Sequence, residues 1–236
     1  MSSAEPMKNS ENETRSTSPE GTRSSETGTI NLESLGTRLR EERQRLDVSL
    51  REIARRIDVS PSLISQVERG LAMPSVSTLW LLATELGLRL DALFGSSEPI
   101  AAAAGNQTGQ NAASAKGLVQ RAGNRKRIRL AGGVIWERLT PQRDDEVEFL
   151  HVVYQPGAES CPPDSLFRHG GREYAYVLSG RLGLQIGFES YELAAGDSTS
   201  FAAQMPHRLW AIGSEPAVAI WVVINRTDDS RLTGGR

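Results

Sequence analysis

The chain has 236 residues, enough for one or two domains, and its formal net charge of −2 excludes a strongly basic protein that coats nucleic acid. No apolar run reaches membrane-spanning length, and the first thirty residues lack the apolar core of a signal peptide, so a cytoplasmic location is expected. The single cysteine, Cys161, excludes an internal disulfide framework and is interpreted as an inert thiol.

Three segments are poor in large apolar residues and are predicted to lie outside the folded domains. Residues 1–29 are rich in Ser, Glu, Thr, Asn and Gly, which predicts a disordered N-terminal segment. Residues 96–124 are mostly small and polar and predict a flexible linker, and residues 227–236 form a polar tail. Residues 30–95 and 125–226 are therefore the two candidate domains.

The first candidate domain contains two short helix starts that lie about eleven residues apart. Ser49 and Glu52 form a capping box, and Ser60 is a second N-cap that Pro61 follows at the first helical position. One buried apolar stripe per helix is formed by Leu50, Ile53, Ala54 and Ile57, then by Leu63, Ile64 and Val67. This pattern predicts a helix-turn-helix over residues 50–69, whose second helix enters the DNA major groove.

Residues 35–95 resemble the Cro/C1-type helix-turn-helix domain of the XRE family, a bundle of five helices. Leu35, Leu39 and Leu46 fit its first helix, residues 68–75 resemble its loop, and residues 78–94 resemble its last two helices. The resemblance implies an ion pair between Arg43 and Glu68. Asp58 stands where many relatives have Gly in a left-handed turn, a conformation that Asp tolerates.

The same resemblance implies which residues contact DNA. Ser62, Ser65 and Gln66 match base-contacting positions; Pro61 matches another but has no polar side chain, so the family's operators cannot be transferred to this chain. Phosphate contacts are expected at the start of the first of the two helices. The predicted contact set is Ser49, Leu50, Arg51, Ser60, Pro61, Ser62, Ser65, Gln66 and Arg69. For Arg51, Arg55 and Arg56, a phosphate contact and a solvated helix face both stay open.

After the linker, the basic residues Arg121, Arg125, Lys126, Arg127 and Arg129 are interpreted as a solvated entry into the first strand, with an extra phosphate contact as the alternative. Between residues 126 and 225, short β-prone runs alternate with turn residues about every ten positions. This spacing predicts an antiparallel sandwich or barrel.

Residues 156–160, 168–182 and 191–208 resemble the two sequence signatures of the cupins. The resemblance implies an all-β cupin jelly-roll (double-stranded β-helix) barrel that follows the all-α five-helix helix-turn-helix domain. The pairing of an XRE domain with a C-terminal cupin resembles a known regulator architecture. It implies a sequence-specific transcriptional regulator and not an enzyme.

The cupin resemblance also indicates a candidate metal or effector site. Relative to the family's ligand set, His169, Glu173 and His207 are present, but Phe167 replaces the first histidine. Two histidines and one carboxylate can hold a divalent transition metal with open coordination positions. Alternatively, the three side chains line an organic-effector pocket without metal, and His151 has no role in the motif.

Three roles for the barrel stay open: sensor of an unidentified small molecule, structural dimerisation unit, or metal-dependent enzyme. Sensing and dimerisation are compatible, and a homodimer is expected because it suits a two-fold DNA operator. The predicted pocket residues are Phe167, Tyr176, Phe201 and Trp210, with Trp136, Phe149 and Trp221 as further aromatic candidates. Because a flexible linker cannot transmit a rigid rotation, any coupling to DNA must pass through domain docking or dimer state.

Overall fold

Five helices build the first domain of the computed structural model, which describes residues 28–95 and 117–226. They are α1 (Leu32–Arg45), α2 (Leu50–Arg56), α3 (Pro61–Glu68), α4 (Val76–Glu85) and α5 (Leu90–Leu93). The predicted N-terminal segment up to residue 27, the linker up to residue 116 and the C-terminal tail lie outside the described residues. No helix in the described ranges is long and apolar enough to cross a membrane.

The helix-turn-helix is built by local capping. The Oγ of Ser60 accepts a hydrogen bond from the amide of Leu63 at 3.1 Å, and Asp58 takes the left-handed turn between α2 and α3 with φ of 55°. The capping box at α2 is only half formed. Ser49 accepts from the amide of Glu52, but the Glu52 carboxylate pairs with Arg55 and Arg56 instead of reaching back. These arginines thus lie on an ion-paired surface.

The helices α1 and α3 approach closely at Gly36. A methyl group at this position would lie 2.4 Å from the carbonyl oxygen of Val67, so only glycine fits the crossing. Sequence analysis placed Ala54 in the buried stripe of the first of the two helices but did not single out Gly36. The residue matters because α3 carries the predicted DNA contacts, and its distance from α1 is set here.

The second domain consists of two antiparallel sheets with the strand orders β1-β2-β3-β9-β4-β7 and β6-β5-β8. In chain order the strands are β1 (Arg127–Arg129), β2 (Val134–Arg138), β3 (Val147–Tyr154), β4 (Arg172–Ser179), β5 (Arg181–Ile186), β6 (Glu189–Ala194), β7 (Ser198–Ala202), β8 (His207–Ala211) and β9 (Ala217–Ile224). Alternate residues of β3, β4 and β9 are buried between the sheets. This arrangement is the predicted cupin jelly-roll.

The basic residues at the barrel entrance are partly neutralised. Arg125 and Arg127 both form ion pairs with the buried carboxylate of Glu137 in β2. Burial by itself raises the pKa of Glu137, but the two guanidinium groups outweigh it and lower that pKa. His151 lies beside the same carboxylate, with its Nδ1 3.3 Å from a Glu137 oxygen. This pairing supports the structural interpretation of the basic segment over a phosphate contact.

The two domains contact each other directly, independently of the linker. The amide of Ser77 in α4 donates to the carbonyl oxygen of Ser160 at 3.2 Å, and the amide of Ala131 donates to Pro74 at 2.9 Å. At the start of α5, the amide of Leu90 donates to the buried carboxylate of Glu148 at 3.1 Å. Domain docking, one of the two routes of coupling left open by the sequence, is therefore present.

Candidate functional sites

The outer face of α3 is exposed and polar while its inner face is packed. Ile64, Val67 and Glu68 are buried, whereas Pro61, Ser62, Gln66 and Arg69 are exposed and Ser65 is partly exposed. This face stays open although the barrel is docked on the same domain. Serine, glutamine and arginine side chains on an exposed helix face can make hydrogen bonds to base edges in the DNA major groove.

A buried ion pair joins the end of α3 to α1. Arg43 contacts both carboxylate oxygens of Glu68, with Nε 2.6 Å from Oε1 and Nη2 2.9 Å from Oε2. The third donor of Arg43 bonds the carbonyl oxygen of Val48 at 2.7 Å, in the turn before α2. One guanidinium group therefore links three segments of the helix-turn-helix domain, and it fixes where α3 ends.

The side chains of His169, Glu173 and His207 converge inside the barrel. His169 lies just before β4, Glu173 is the second residue of β4, and His207 begins β8. All three are at most 4% exposed, and their ligand atoms lie within 4.8 Å of one another. The Oε1 of Glu173 is 2.6 Å from Nε2 of His169 and 3.5 Å from Nε2 of His207.

Hydrogen bonds to the far sides of these groups orient them. The Nδ1 of His169 lies 2.8 Å from the carbonyl oxygen of Gly170, and the Nδ1 of His207 lies 2.8 Å from that of Met205. A carbonyl oxygen only accepts, so each Nδ1 donates its N–H and each Nε2 faces the site. Trp221 donates its Nε1–H to Oε2 of Glu173 at 2.9 Å, which fixes the carboxylate.

The arrangement fits a metal ion. Within the described residues, Nε2 of His169 and Nε2 of His207 are buried without a hydrogen-bond partner, although a carboxylate oxygen lies beside them. A divalent cation between the three side chains would bind the deprotonated Nε2 of each histidine and neutralise the carboxylate. Burial alone raises the pKa of Glu173, but His169 and His207 outweigh it and lower that pKa to about 2, so the carboxylate is an anion at neutral pH.

A small cavity of about 20 Å³ lies beside these groups. Its apolar wall includes the predicted residues Phe167, Trp136 and Trp221, and the ring of Phe167 lies 4.6 Å from that of His207. Phe201 packs 5.0 Å from the His207 ring but does not line the cavity.

Three aromatic candidates lie outside the cavity. Tyr176 is 49% exposed and Phe149 is 37% exposed on the outer face of the six-stranded sheet, because strand alternation turns Glu173, Ala175 and Val177 inward. Trp210 lies on the outer face of the smaller sheet, where its indole covers Gly183. Their assignment to the pocket was therefore wrong.

Two of the cavity residues that the sequence did not predict, Val76 and Trp80, belong to the other domain. Both are in α4, where nearly all apolar side chains are buried: Val76, Leu79, Trp80, Leu82 and Ala83. A helix that is apolar on so many sides needs a second packing partner. The excess of apolar side chains on α4 was the available sequence signal for a second packing partner, but it does not identify the barrel as that partner.

Comparison with known proteins supports the same two domains. A Helix-turn-helix family model matches residues 39–93 and a Cupin domain model matches residues 150–223. The HTH-type transcriptional regulator PuuR of Escherichia coli is 27% identical over 73% of this chain and 84% of its own length, and the HTH-type transcriptional regulator SutR of Escherichia coli is 26% identical over 78% and 90%.

A crystal structure of an HTH_3 family transcriptional regulator from Vibrio cholerae shares the fold, with a TM-score of 0.56 and 22% identity over 82% of this chain and 96% of that one. The two family models match in the same order as the two observed domains. The two regulators are similar to this chain over most of their length, in agreement with the structure. The chain therefore combines a Helix-turn-helix domain with a C-terminal Cupin domain, and over most of its length it is similar to HTH-type transcriptional regulators.

Proposed function

We propose that this protein is a transcriptional regulator that reads a DNA operator with α3, as a homodimer, and senses a metal ion or small molecule in its cupin domain. The observation that carries the proposal is the exposed polar face of α3, which remains open with the barrel docked. A DNA-reading role also requires access to the chromosome, which agrees with the expected cytoplasmic location.

Base reading rests mainly on Gln66. Its amide is exposed near the middle of α3, and a Gln side chain can donate to and accept from adenine in the major groove at the same time. Arg69 is exposed at the end of α3, with its Nε 3.2 Å from the carbonyl oxygen of Ser65, and it can reach guanine or a phosphate.

Replacing Gln66 with Ala should weaken binding to the preferred operator by about 10- to 100-fold, because one bidentate base contact is worth roughly 1–3 kcal/mol. Binding to scrambled DNA should change less than about twofold, since phosphate contacts supply it. The operator is first selected from random DNA with the unaltered protein, and both affinities are then measured at one salt concentration. Gln44→Ala, at an exposed glutamine of α1, is the control. Equal losses on both DNAs, or no loss, would remove Gln66 from base reading.

The sensor role rests on the three buried side chains and on their orientation. His169, Glu173 and His207 would hold a divalent transition metal, which would supply a Lewis acid with open coordination positions. The cavity beside them has room for about one water molecule, since a water needs roughly 10–15 Å³ of such space. So small a cavity favours sensing over turnover of an organic substrate while the domains are docked.

The dimer is assigned to the outer face of the six-stranded sheet. Two rows of mostly apolar side chains cross this face, Phe149–Val222–Tyr174 and His151–Ile220–Tyr176, and an open groove of about 400 Å³ lies beside Tyr174 and Tyr176. The adjacent strands β2, β3, β9, β4 and β7, three of eight residues and two of five, span roughly 540 Å² at ~4.8 Å spacing and ~3.3 Å rise. That approaches the ~800 Å² per partner of a stable interface, so a second copy of this chain is the occupant that we propose.

Replacing Tyr176 with Glu should convert the dimer into a monomer at micromolar concentration. An unpaired carboxylate buried in an apolar interface costs several kcal/mol, which raises the dissociation constant by at least about 100-fold. Sedimentation velocity would show the chain mass of 25.7 kDa for the variant and twice that mass for the unaltered protein. Phe188→Glu, at the fully exposed β5–β6 turn, should stay dimeric. A monomeric unaltered protein, or a dimeric variant, would contradict this assignment.

A further inference from the structure

Trp80 of the DNA-binding domain is a wall of the site in the cupin domain. It is only 3% exposed, and its indole ring lies 4.1 Å from the imidazole of His169, tilted by 31°. On the barrel side it meets Trp136 edge-on at 6.0 Å, and the guanidinium of Arg226 lies 4.9 Å from its ring centre. The indole is thus held between one candidate ligand, one core tryptophan and one cation.

With Trp80 in place, the cavity beside the candidate ligands is about 20 Å³. Sites for organic ligands usually measure about 300–1,000 Å³, so this cavity admits a metal ion or a water but no organic molecule. The space that an organic effector would need next to His169 is the space that the Trp80 ring occupies.

The ring can leave without losing a side-chain hydrogen bond of its own. Within the described residues, Nε1 of Trp80 is buried without a partner, which costs free energy in the docked arrangement. Exposure to water or to an oxygen of an incoming ligand would satisfy this donor. The ring contacts of Trp80 therefore favour the docked arrangement, whereas its unsatisfied N–H opposes it.

Moving Trp80 must also loosen the domain interface. The interdomain bonds of Ser77 and Leu90 flank Trp80 along the chain, one in the first turn of α4 and one at α5. Arg226 completes the contact on the same side, with 2.9 Å to Glu148 and 2.7 Å to the hydroxyl of Thr84 in α4. Because α4 is one rigid helix, its tryptophan cannot swing far while these bonds hold.

We propose that Trp80 is a displaceable wall of the site formed by His169, Glu173 and His207, so that a metal ion binds with the domains docked whereas an organic effector binds only after Trp80 and α4 leave the barrel. This inference rests on the proposed sensor function and names the coupling step. The outer face of α3 is exposed in the docked state, so docking does not block DNA reading. Docking instead fixes where each α3 lies relative to its barrel, and this in turn sets the distance between the two α3 helices of a dimer.

The first test uses indole as the probe, in the full chain with Trp80 replaced by Ala. Indole at about tenfold its dissociation constant should raise the melting temperature of this variant by about 2–4 °C, because it refills the space beside His169. The unaltered protein and Trp210→Ala, at a tryptophan outside the cavity, should show no shift. Indole binding by the unaltered protein with its interdomain bonds intact would overturn the proposal.

The second test measures amide hydrogen exchange at Ser77, Leu90 and Ala131, whose amides donate across the interface. Trp80→Ala should accelerate these three amides at least about tenfold and leave Val59 and Ile212, bonded within single domains, unchanged. Indole should restore their protection. Unchanged exchange at the three interface amides would also overturn the proposal.

If Trp80→Ala does not fold, Trp80→Leu provides the same comparison with a smaller loss of packing. Failure of these tests leaves operator preference and its dependence on Gln66 untouched, so the two proposals fail separately. In a third test, Zn²⁺ is added to the unaltered protein and hydrogen exchange is measured again. The three interface amides should stay protected. Accelerated exchange on Zn²⁺ binding would contradict the part of the proposal that concerns the metal.

Discussion

The protein purified from cells should contain about one equivalent of a divalent transition metal per chain, and His207→Ala should contain less than about a tenth of that. The loss is expected to be this large because the set has only three ligands, and a remaining histidine and carboxylate bind such ions weakly. His169→Ala should behave in the same way. Inductively coupled plasma mass spectrometry of the purified proteins gives the metal content directly.

The third histidine of the chain provides the control. His151 lies on β3 beside Glu137, away from the site, so His151→Ala should retain the metal. Trp221→Phe tests the orientation of the carboxylate, since it removes only the hydrogen bond to Glu173; an affinity loss of roughly 10- to 100-fold is expected. If the unaltered protein contains no metal, the three side chains form only a polar cluster. An equal loss of metal in His151→Ala would point to nonspecific binding.

The helix-turn-helix was predictable because its determinants are local. Ser60 caps an amide three residues away, and Pro61 and Asp58 act through their own backbone conformation, so these roles could be inferred without knowing what packs on the helices. Glu52 shows the limit of that reasoning. Its capping role competes with two arginines one turn further along, and the ion pairs prevail in the structure.

The interior of the barrel could be predicted where strand alternation was applied consistently. Alternation along β4 turns Glu173 inward, and the same alternation three residues later places Tyr176 outside. Trp80 could not have been found in this way. Its contact with His169 joins residues far apart in the chain across two domains, and no local periodicity encodes which surface a helix will pack on.

Breaking the buried ion pair of Arg43 and Glu68 is the second change for which we expect a large effect, here on the stability of the helix-turn-helix domain. Arg43→Met leaves the Glu68 carboxylate buried at 7% exposure without its cation, which should lower the free energy of unfolding by about 3–5 kcal/mol. Urea unfolding followed by far-ultraviolet circular dichroism reports the helices of this domain. Arg45→Met, which removes the exposed partner of Glu42 on the same helix, should leave the stability unchanged within error.

Replacing both members, as in Arg43→Met with Glu68→Leu, separates stability from positioning. A buried ion pair exchanged for apolar side chains of similar volume is often neutral or stabilising, so the double variant should regain most of the lost stability. It should nevertheless bind its operator less selectively, because Arg43 also bonds Val48 and thereby ties the end of α3 to α1 and to the turn before α2. Full stability with full operator preference would mean that packing at Gly36 alone holds α3 in place. Restored stability with weakened preference would assign the pair to placing the reading helix.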